Sequence, residues 1–228
     1  MPDPAPRLSF GATSVASLVA AVRAAIDPRP DVDWERIEST IEARADELVR
    51  ENRAMAGDGP AEQWLRTSSL VLAAYRELEP FAEGARLVAI FRDAMAAPFR
   101  QQIAGYLDGR FGISQDAPGE AFTRISENFQ KRGEERFGSA FRYAADAHDA
   151  RRHFVNIERC FFNDFFRANG AAQVTPLFCA LDKVWAEALE APRYGVRFER
   201  PTTLAAGDDA CRFRFHRTAP DPEPGRER

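Results

Sequence analysis

Cysteine and net charge are both scarce in this chain, and their scarcity limits what it can be. Its 228 residues include three cysteines, an odd number at wide spacing that is typical of reduced thiols and unlike a secreted disulfide framework. The formal net charge of −4 provides no basic patch, so we expect no nucleic-acid partner. Arg23 interrupts the apolar stretch SVASLVAAVRAAI near the start, which is too short to span a membrane. We therefore expect a cytoplasmic protein with no membrane partner and no cleaved signal.

The common catalytic and nucleotide-binding motifs are also absent. There is no G-x-S-x-G elbow, P-loop, G-x-G-x-x-G fingerprint or H-E-x-x-H motif, which leaves α/β-hydrolases, P-loop NTPases, Rossmann enzymes and zincins without support. No C-x-x-C pair occurs, so a structural zinc site built from the cysteines is disfavoured. We predict no metal ligands and no cofactor. A divalent metal stays open as an alternative that the ligand spacing does not indicate.

Helical periodicity dominates the first half of the chain. Apolar residues recur at three- and four-residue steps, a pattern that predicts amphipathic helices with one buried stripe. Asp33 is a good N-cap for the first of them, and Pro98 is expected to kink the third before Tyr106. The predicted helices cover residues 34–55, 61–78, about 81–106 and 118–136. We expect residues 11–137 to form a helical N-terminal region, preceded by disordered residues 1–10.

After Gly138 the apolar residues alternate in short blocks, which indicates β-strands. The segment AGDDA before the last block supplies turn residues, so the last two strands should form a hairpin. The predicted strands are AFRYAADA, HFVNIERC, VRFERPTTL and CRFRFHR, with helices at residues 161–168 and 175–189. The predicted fold class is α+β: an N-terminal helical layer, then a four-stranded antiparallel sheet with two helices packed on it over residues 138–217, and a disordered tail at 218–228.

Thiols and carboxylates occur close together in the last third of the chain. Asp164 follows Cys160 by four residues and Asp182 follows Cys179 by three, so each pair would share one face of a helix. Cys211 alternates in phase with phenylalanines and should point inward. We therefore predict a cavity with Cys160, Asn163 and Asp164 on one wall and Cys179, Asp182 and Cys211 on the other.

Each of these residues also has a structural interpretation. A free cysteine often packs as a small apolar side chain, and Asp164 or Asp182 could be solvated or paired with a neighbouring basic residue. Asp182 lies in the apolar segment LFCALDKVW, so it should be buried and should need a partner. His153 is a candidate acid or base, although a single histidine is more often a surface or core residue.

The segments ERCFFNDFFRANG, PLFCALDKVW and GVRFERPTTLAAGDDACRFRF, in this order, resemble the L-2-amino-thiazoline-4-carboxylic acid hydrolase-like family. The resemblance covers about residues 150–217 and includes an F-C-x-x-D motif and an R-x-x-T-L-A-x-G turn. It implies a hydrolase that adds water to the amidine carbon of a thiazoline ring. Such chemistry needs a nucleophile or activated water, a carboxylate for the amidinium and an acid for the leaving atom.

The resemblance also suggests roles for individual side chains. Asp182 suits the amidinium contact, because a carboxylate accepts two parallel N–H bonds. Cys160 or Cys179 suits the nucleophile, provided that Arg159 or a helix N-terminus lowers the pKa of its thiol. The predicted catalytic residues are thus Cys160, Cys179 and Asp182. The predicted substrate contacts are Asn163, Asp164, Thr203, Cys211 and His153.

Two alternatives of other classes stay open. The same features resemble the small-molecule-binding domain related to bacteriochlorophyll 4-vinyl reductase accessory proteins, which would make the protein a binding module without turnover. The apolar segment CFFNDFF could instead form the interface of a structural protein or a homodimer. Its Asn163 and Asp164 argue against a membrane-facing surface. A small-molecule partner is the main expectation, and a homodimer is a further one.

Overall fold

Six helices precede the first strand in the computed structural model, which describes residues 14–26 and 29–218. Two more helices lie between the second and third strands. The predicted disordered ends, residues 1–10 and 218–228, lie outside the described residues except for Thr218. The helices are α1 (Val15–Ala25), α2 (Trp34–Glu51), α3 (Gly59–Leu78), α4 (Gly84–Gln101), α5 (Ile103–Phe111), α6 (Ala121–Phe137), α7 (Phe161–Ala168) and α8 (Thr175–Leu189).

Capping side chains fix where several of these helices begin. Asp33 accepts a hydrogen bond from the Arg36 amide at 3.0 Å, which confirms it as the N-cap of α2. Asp58 caps α3 through the Ala61 amide at 2.9 Å and also accepts from the Ser139 amide at 2.7 Å. The second bond ties the start of α3 to the turn after α6, where Gly138 has φ +66° and a Cβ would overlap the Asp58 carboxylate.

The N-terminal helices differ from the prediction in two places. The apolar stretch near the start forms α1, a helix that we did not predict. The predicted single helix with a kink at Pro98 is wrong, because Pro98 lies inside α4 and the chain breaks at Gln102 to begin α5. A proline inside a helix removes one backbone donor without necessarily ending the helix. No helix among residues 14–26 and 29–218 is both long and apolar enough to cross a membrane.

The four strands form one antiparallel sheet in the order β1-β2-β4-β3. The register places His153 opposite Phe215 and Ile157 opposite Cys211. The last two strands pair as predicted, although β3 is shorter than expected because Pro201 lacks the N–H that a ladder needs. The predicted α+β class is confirmed. The strands are β1 (Arg142–His148), β2 (Arg152–Arg159), β3 (Val196–Glu199) and β4 (Cys211–Arg217).

Helices α6 and α8 pack against the sheet, whereas we predicted α7 and α8. Helix α6 contacts β1 and β4, and α8 contacts β3, whereas α7 packs against α3 and α8. The ring of Phe162 lies 5.5 Å from Trp64 of α3 and 4.3 Å from Phe178 of α8, measured between ring centroids. The prediction that the phenylalanines of α7 pack onto the sheet is therefore wrong, because their apolar face meets helices instead.

Buried side chains form two cores that meet around α8. The helix-side core joins α1–α4, α7 and the first half of α8, and includes Leu18, Leu48, Trp64, Phe91, Phe165 and Leu181. The sheet-side core joins α5, α6, the second half of α8 and the inner face of the sheet, and includes Phe111, Phe129, Val155, Trp185, Phe213 and Phe215. Side chains of both cores surround the candidate site.

Candidate active site

A cavity of about 70 Å³ lies where the two cores meet. Most of its wall is aromatic, which suits the burial of a small ring. Its charged and sulfur-bearing lining residues come from five different segments of the chain. They are Arg110, Cys160, Cys179, Asp182, Arg200 and Cys211.

Helix α8 presents Cys179, Asp182 and Trp185 on the cavity side. These residues are three apart, so they form a continuous stripe on one face of the helix. The indole Nε1 of Trp185 donates to Asp182 Oδ1 at 3.1 Å and holds that carboxylate in place. The predicted pairing of Cys179 and Asp182 on one helix face is thus present in the structure.

Arg200 follows β3 and clamps the same stretch of α8. Its Nη1 donates to Asp182 Oδ2 at 2.5 Å, and its Nη2 donates to the carbonyl oxygen of Cys179 at 3.0 Å. Only 11% of the Arg200 side chain is exposed. Sequence reasoning quoted Arg200 within a motif but gave it no role. The burial predicted for Asp182 in LFCALDKVW already implied a basic partner of this kind.

Asp182 keeps acceptor capacity for a ligand although it already has two partners. Its side chain is 31% exposed, and it is among the residues that line the cavity. Burial raises the pKa of Asp182, and the positive charge of Arg200 opposes that rise. Each carboxylate oxygen has two lone pairs, so Asp182 can accept hydrogen bonds from a bound cation as well as from Arg200 and Trp185.

Cys160 lies at the N-terminus of α7, where its extended backbone (φ −135°, ψ 117°) forms the N-cap. Its thiol does not make a capping hydrogen bond of standard geometry. Burial raises the pKa of Cys160 well above its usual range, and the backbone amides of Asn163 and Phe162 oppose the rise. These amides belong to the first turn of the helix, where partial positive charge favours a thiolate.

Burial also raises the pKa of the other two thiols. Burial, together with the charge of the nearby Asp182 carboxylate, raises the pKa of Cys179 to about 12. Burial also raises the pKa of Cys211, whose sulfur accepts a hydrogen bond from the Leu204 amide at 3.2 Å. All three thiols are therefore protonated at neutral pH before a ligand binds.

Arg110 of α5 is a cavity residue that sequence reasoning missed. It is only 4% exposed, and its Nη1 has no hydrogen-bond partner. The guanidinium lies over the ring of Phe129 at 4.7 Å and that of Phe111 at 5.2 Å, measured to the ring centroids. The predicted third helix ended near Tyr106; extending it by one turn would have placed Arg110 on the same face as Tyr106, four residues later.

Four predicted substrate contacts are not among the residues that line the cavity. Asp164 forms an ion pair at 3.0 Å with Arg159, one of the two candidate groups for lowering the pKa of Cys160. Thr203 caps the short turn at residues 204–206 through the Ala206 amide at 3.2 Å. His153 is buried against Phe215, and neither ring nitrogen has a partner. Asn163 contributes its backbone amide near Cys160.

The donor atoms of the site do not form a recognisable metal centre. Among the described residues, no group of three or more histidine, cysteine or acidic side chains is placed to hold a metal ion. The groups that converge are one carboxylate, two guanidinium groups and three thiols, within an aromatic wall. This set can bind a planar ring that carries both cationic and anionic groups.

Comparison with known proteins identifies one family. The model of the family described as L-2-amino-thiazoline-4-carboxylic acid hydrolase matches residues 65–215, from α3 to β4. The match includes the helices that line the cavity as well as the sheet. No curated protein and no solved structure matches the chain.

Proposed function

Since the chain belongs to the L-2-amino-thiazoline-4-carboxylic acid hydrolase family, we propose that its cavity binds a thiazoline-type cyclic amidine and opens the ring with water. The observation that carries this proposal is the convergence of three thiols and the Asp182–Arg200 pair on one aromatic-lined cavity. A carboxylate at the wall of an aromatic pocket suits a flat amidinium ring, which needs both a stacking surface and hydrogen-bond acceptors.

The reaction adds one water across the bond between the amidine carbon and the ring sulfur. The water oxygen bonds to the amidine carbon, the carbon–sulfur bond breaks, and the sulfur leaves with a proton as a thiol. The amidine then becomes an N-carbamoyl group, so the product is an open N-carbamoyl amino acid. The site must therefore bind the amidinium, supply or activate the nucleophile, and protonate the departing sulfur.

Asp182 is the residue that binds the amidinium in this scheme. Arg200 and Trp185 fix its two oxygens, so the carboxylate is oriented before the substrate arrives.

Cys160 is our candidate nucleophile because it lies at the N-terminus of α7 and lines the cavity. Burial raises the pKa of its thiol, and two helix amides oppose the rise. A cationic amidinium in the cavity would lower the pKa of Cys160 and promote loss of its proton. Attack by its sulfur on the amidine carbon would expel the ring sulfur and leave an enzyme-bound isothiourea, which water then hydrolyses to release the N-carbamoyl product.

A binding function without turnover is the second candidate. The observation in its favour is that burial raises the pKa of all three thiols, so none is a preformed thiolate in the free protein. In that case the cavity would hold a similar cyclic amidine and release it unchanged.

Ring opening of a panel of cyclic amidines tests the proposal directly. We would incubate 2-amino-2-thiazoline-4-carboxylate with the wild type, Asp182→Asn and Cys160→Ser, and follow the new thiol with a chromogenic disulfide. We expect turnover by the wild type and a loss on the order of 100-fold or more in each variant. Asp164→Asn is the matched control, and we expect it to retain most of the activity because this carboxylate pairs with Arg159 and does not line the cavity. Binding of the ring without turnover of any member would contradict the hydrolase and support the binding module.

A further inference from the structure

The least satisfied polar group in the wall of the cavity is the guanidinium of Arg110. It is nine-tenths buried or more, and Nη1 has neither a hydrogen-bond partner nor contact with solvent. An unpaired buried cation costs several kcal/mol, so a protein that retains one usually uses it. The other arginine in the cavity wall, Arg200, has a carboxylate partner instead.

The charges that line the cavity do not balance without a ligand. The lining contains two arginines and one carboxylate, and the carboxylate of Asp182 already pairs with Arg200. Arg110 makes no ion pair with any acidic side chain among residues 14–26 and 29–218. The charge of Asp182 attracts Arg110 as well, but that carboxylate forms its ion pair with Arg200, so a bound anion would supply the partner that Arg110 lacks.

Arg110 is also held rigidly enough to recognise such an anion. Its guanidinium stacks over Phe129 and Phe111. Gly133 of α6 makes room for it, because a Cβ at that position would lie 3.0 Å from Arg110 Nη2 and 2.7 Å from the Tyr143 hydroxyl oxygen. A glycine in a helix interior costs about 1 kcal/mol relative to alanine, so the close approach of these two side chains has a structural cost.

We propose that Arg110 binds the carboxylate of the substrate, so that the cavity selects small rings with one carboxylate at the Arg110 end and the amidine at the Asp182 end. The planar fork of an arginine matches a carboxylate in two parallel hydrogen bonds, which fixes the orientation of the ring. This assignment rests on the proposed function for the position of the amidine, but the carboxylate contact itself does not require turnover.

Binding of an unreactive ring tests the contact separately from catalysis. Thiazolidine-4-carboxylate carries the carboxylate but has no amidine to attack, and thiazolidine lacks both groups. By calorimetry we expect the wild type to bind the acid and not the parent ring. We expect Arg110→Met to bind the acid on the order of 30-fold more weakly or worse. Arg110→Lys keeps the charge but lacks the planar fork. Its affinity for the acid should lie between those of the wild type and Arg110→Met. Arg124→Met, which removes an exposed arginine of α6, should bind as the wild type does.

The outcomes distinguish this proposal from the hydrolase proposal. If the wild type fails to bind the acid, or if Arg110→Met binds it as well as the wild type, Arg110 is not a carboxylate site. If binding depends on Arg110 but no cyclic amidine is opened, the carboxylate site stands and the hydrolase fails. If 2-amino-2-thiazoline and its 4-carboxylate are opened equally well by the wild type, the hydrolase stands and the carboxylate site fails. Should Arg110→Met not fold, Arg110→Lys carries the same comparison.

Discussion

The helix-side and sheet-side cores use similar apolar side chains but differ in the polar groups that they bury. Within residues 14–26 and 29–218, the buried polar side chains of the helical layer are the small hydroxyl groups of Ser68 and Ser69 in α3 and of Thr175 at the start of α8. The sheet-side half buries Arg110 and His153, and it borders the cavity with the Asp182–Arg200 pair. A buried hydroxyl without a partner costs about 1–3 kcal/mol, whereas a buried ionisable group costs more unless it is paired.

This difference indicates that the two cores have different roles. Close packing of aliphatic and aromatic rings in the helical layer supplies stability, which offsets the cost of charged groups beside the cavity. Functional sites are where proteins accept such local costs, because the same groups act on a ligand. The comparison predicts that changes in the helix-side core away from the cavity alter stability alone, whereas changes around the cavity separate stability from function.

The largest effect on stability should come from truncating the helix-side core. Phe165 of α7 is fully buried, so Phe165→Ala should lower the free energy of unfolding by about 3–5 kcal/mol, which urea denaturation measures. Phe165→Leu is the matched control and should lose much less. Activity per folded molecule should be unchanged. If ring opening fell with stability retained, the proposed division between the two cores would be incorrect.

Breaking the Asp182–Arg200 pair should have the next largest effect. Asp182→Ala leaves the guanidinium of Arg200 without its carboxylate, and we expect a loss of about 3 kcal/mol in the free energy of unfolding. The double variant Asp182→Leu with Arg200→Met replaces both charges with apolar groups and should recover most of that stability, but no activity. Recovery of activity in the double variant would show that the pair is not part of the reaction.

Acid should destabilise the protein through His153, which is 8% exposed. Burial, together with the charge of nearby His148, lowers the pKa of His153 from 6.5 to about 4. Above pH 6.5 the imidazole is neutral in both the folded and the unfolded state, so its contribution is fully present. As the pH falls from about 6.5 to 4, only the unfolded chain gains the proton, and stability falls by up to about 3 kcal/mol.

Comparison of variants isolates this contribution of His153 from that of the carboxylates. The free energy of unfolding of His153→Phe, measured between pH 4 and 7, should depend less on pH than that of the wild type. His148→Gln is the control and should retain most of the dependence, because burial is the larger cause of the shift. Equal slopes for the wild type and His153→Phe would argue against a buried neutral imidazole.

The smallest effect should come from the cap of α3. Asp58 accepts two backbone hydrogen bonds, and both amides lower its pKa. Asp58→Ala should cost about 1–2 kcal/mol, and Asp58→Asn should cost less because its amide oxygen can still accept. Thermal unfolding measures the difference. A loss of ligand binding in Asp58→Ala with unchanged stability would mean that the contact between the start of α3 and the turn after α6 affects the cavity.

The candidate site was partly predictable from the sequence. The spacing of Cys179 and Asp182 predicted a shared helix face, and the phase of β4 predicted an inward Cys211; all three residues line the cavity. Thr203 and Asp164 were predicted as contacts, but each satisfies a local turn or ion pair instead. Local pairing of this kind is difficult to distinguish from a ligand contact by residue type alone, because the same side chains serve both.

What the sequence determined by itself is the set of elements and their buried faces, since periods of 3.6 and 2 residues specify helix and strand stripes directly. The tertiary structure alone decided what each stripe packs against. The apolar face of α7 could have met a sheet or a helix, and it met α3 and α8. Likewise Arg110 and Asp182, far apart along the chain, line one cavity only because α5 packs against α8. Contacts between distant segments depend on the packing of whole elements, and no local pattern encodes them.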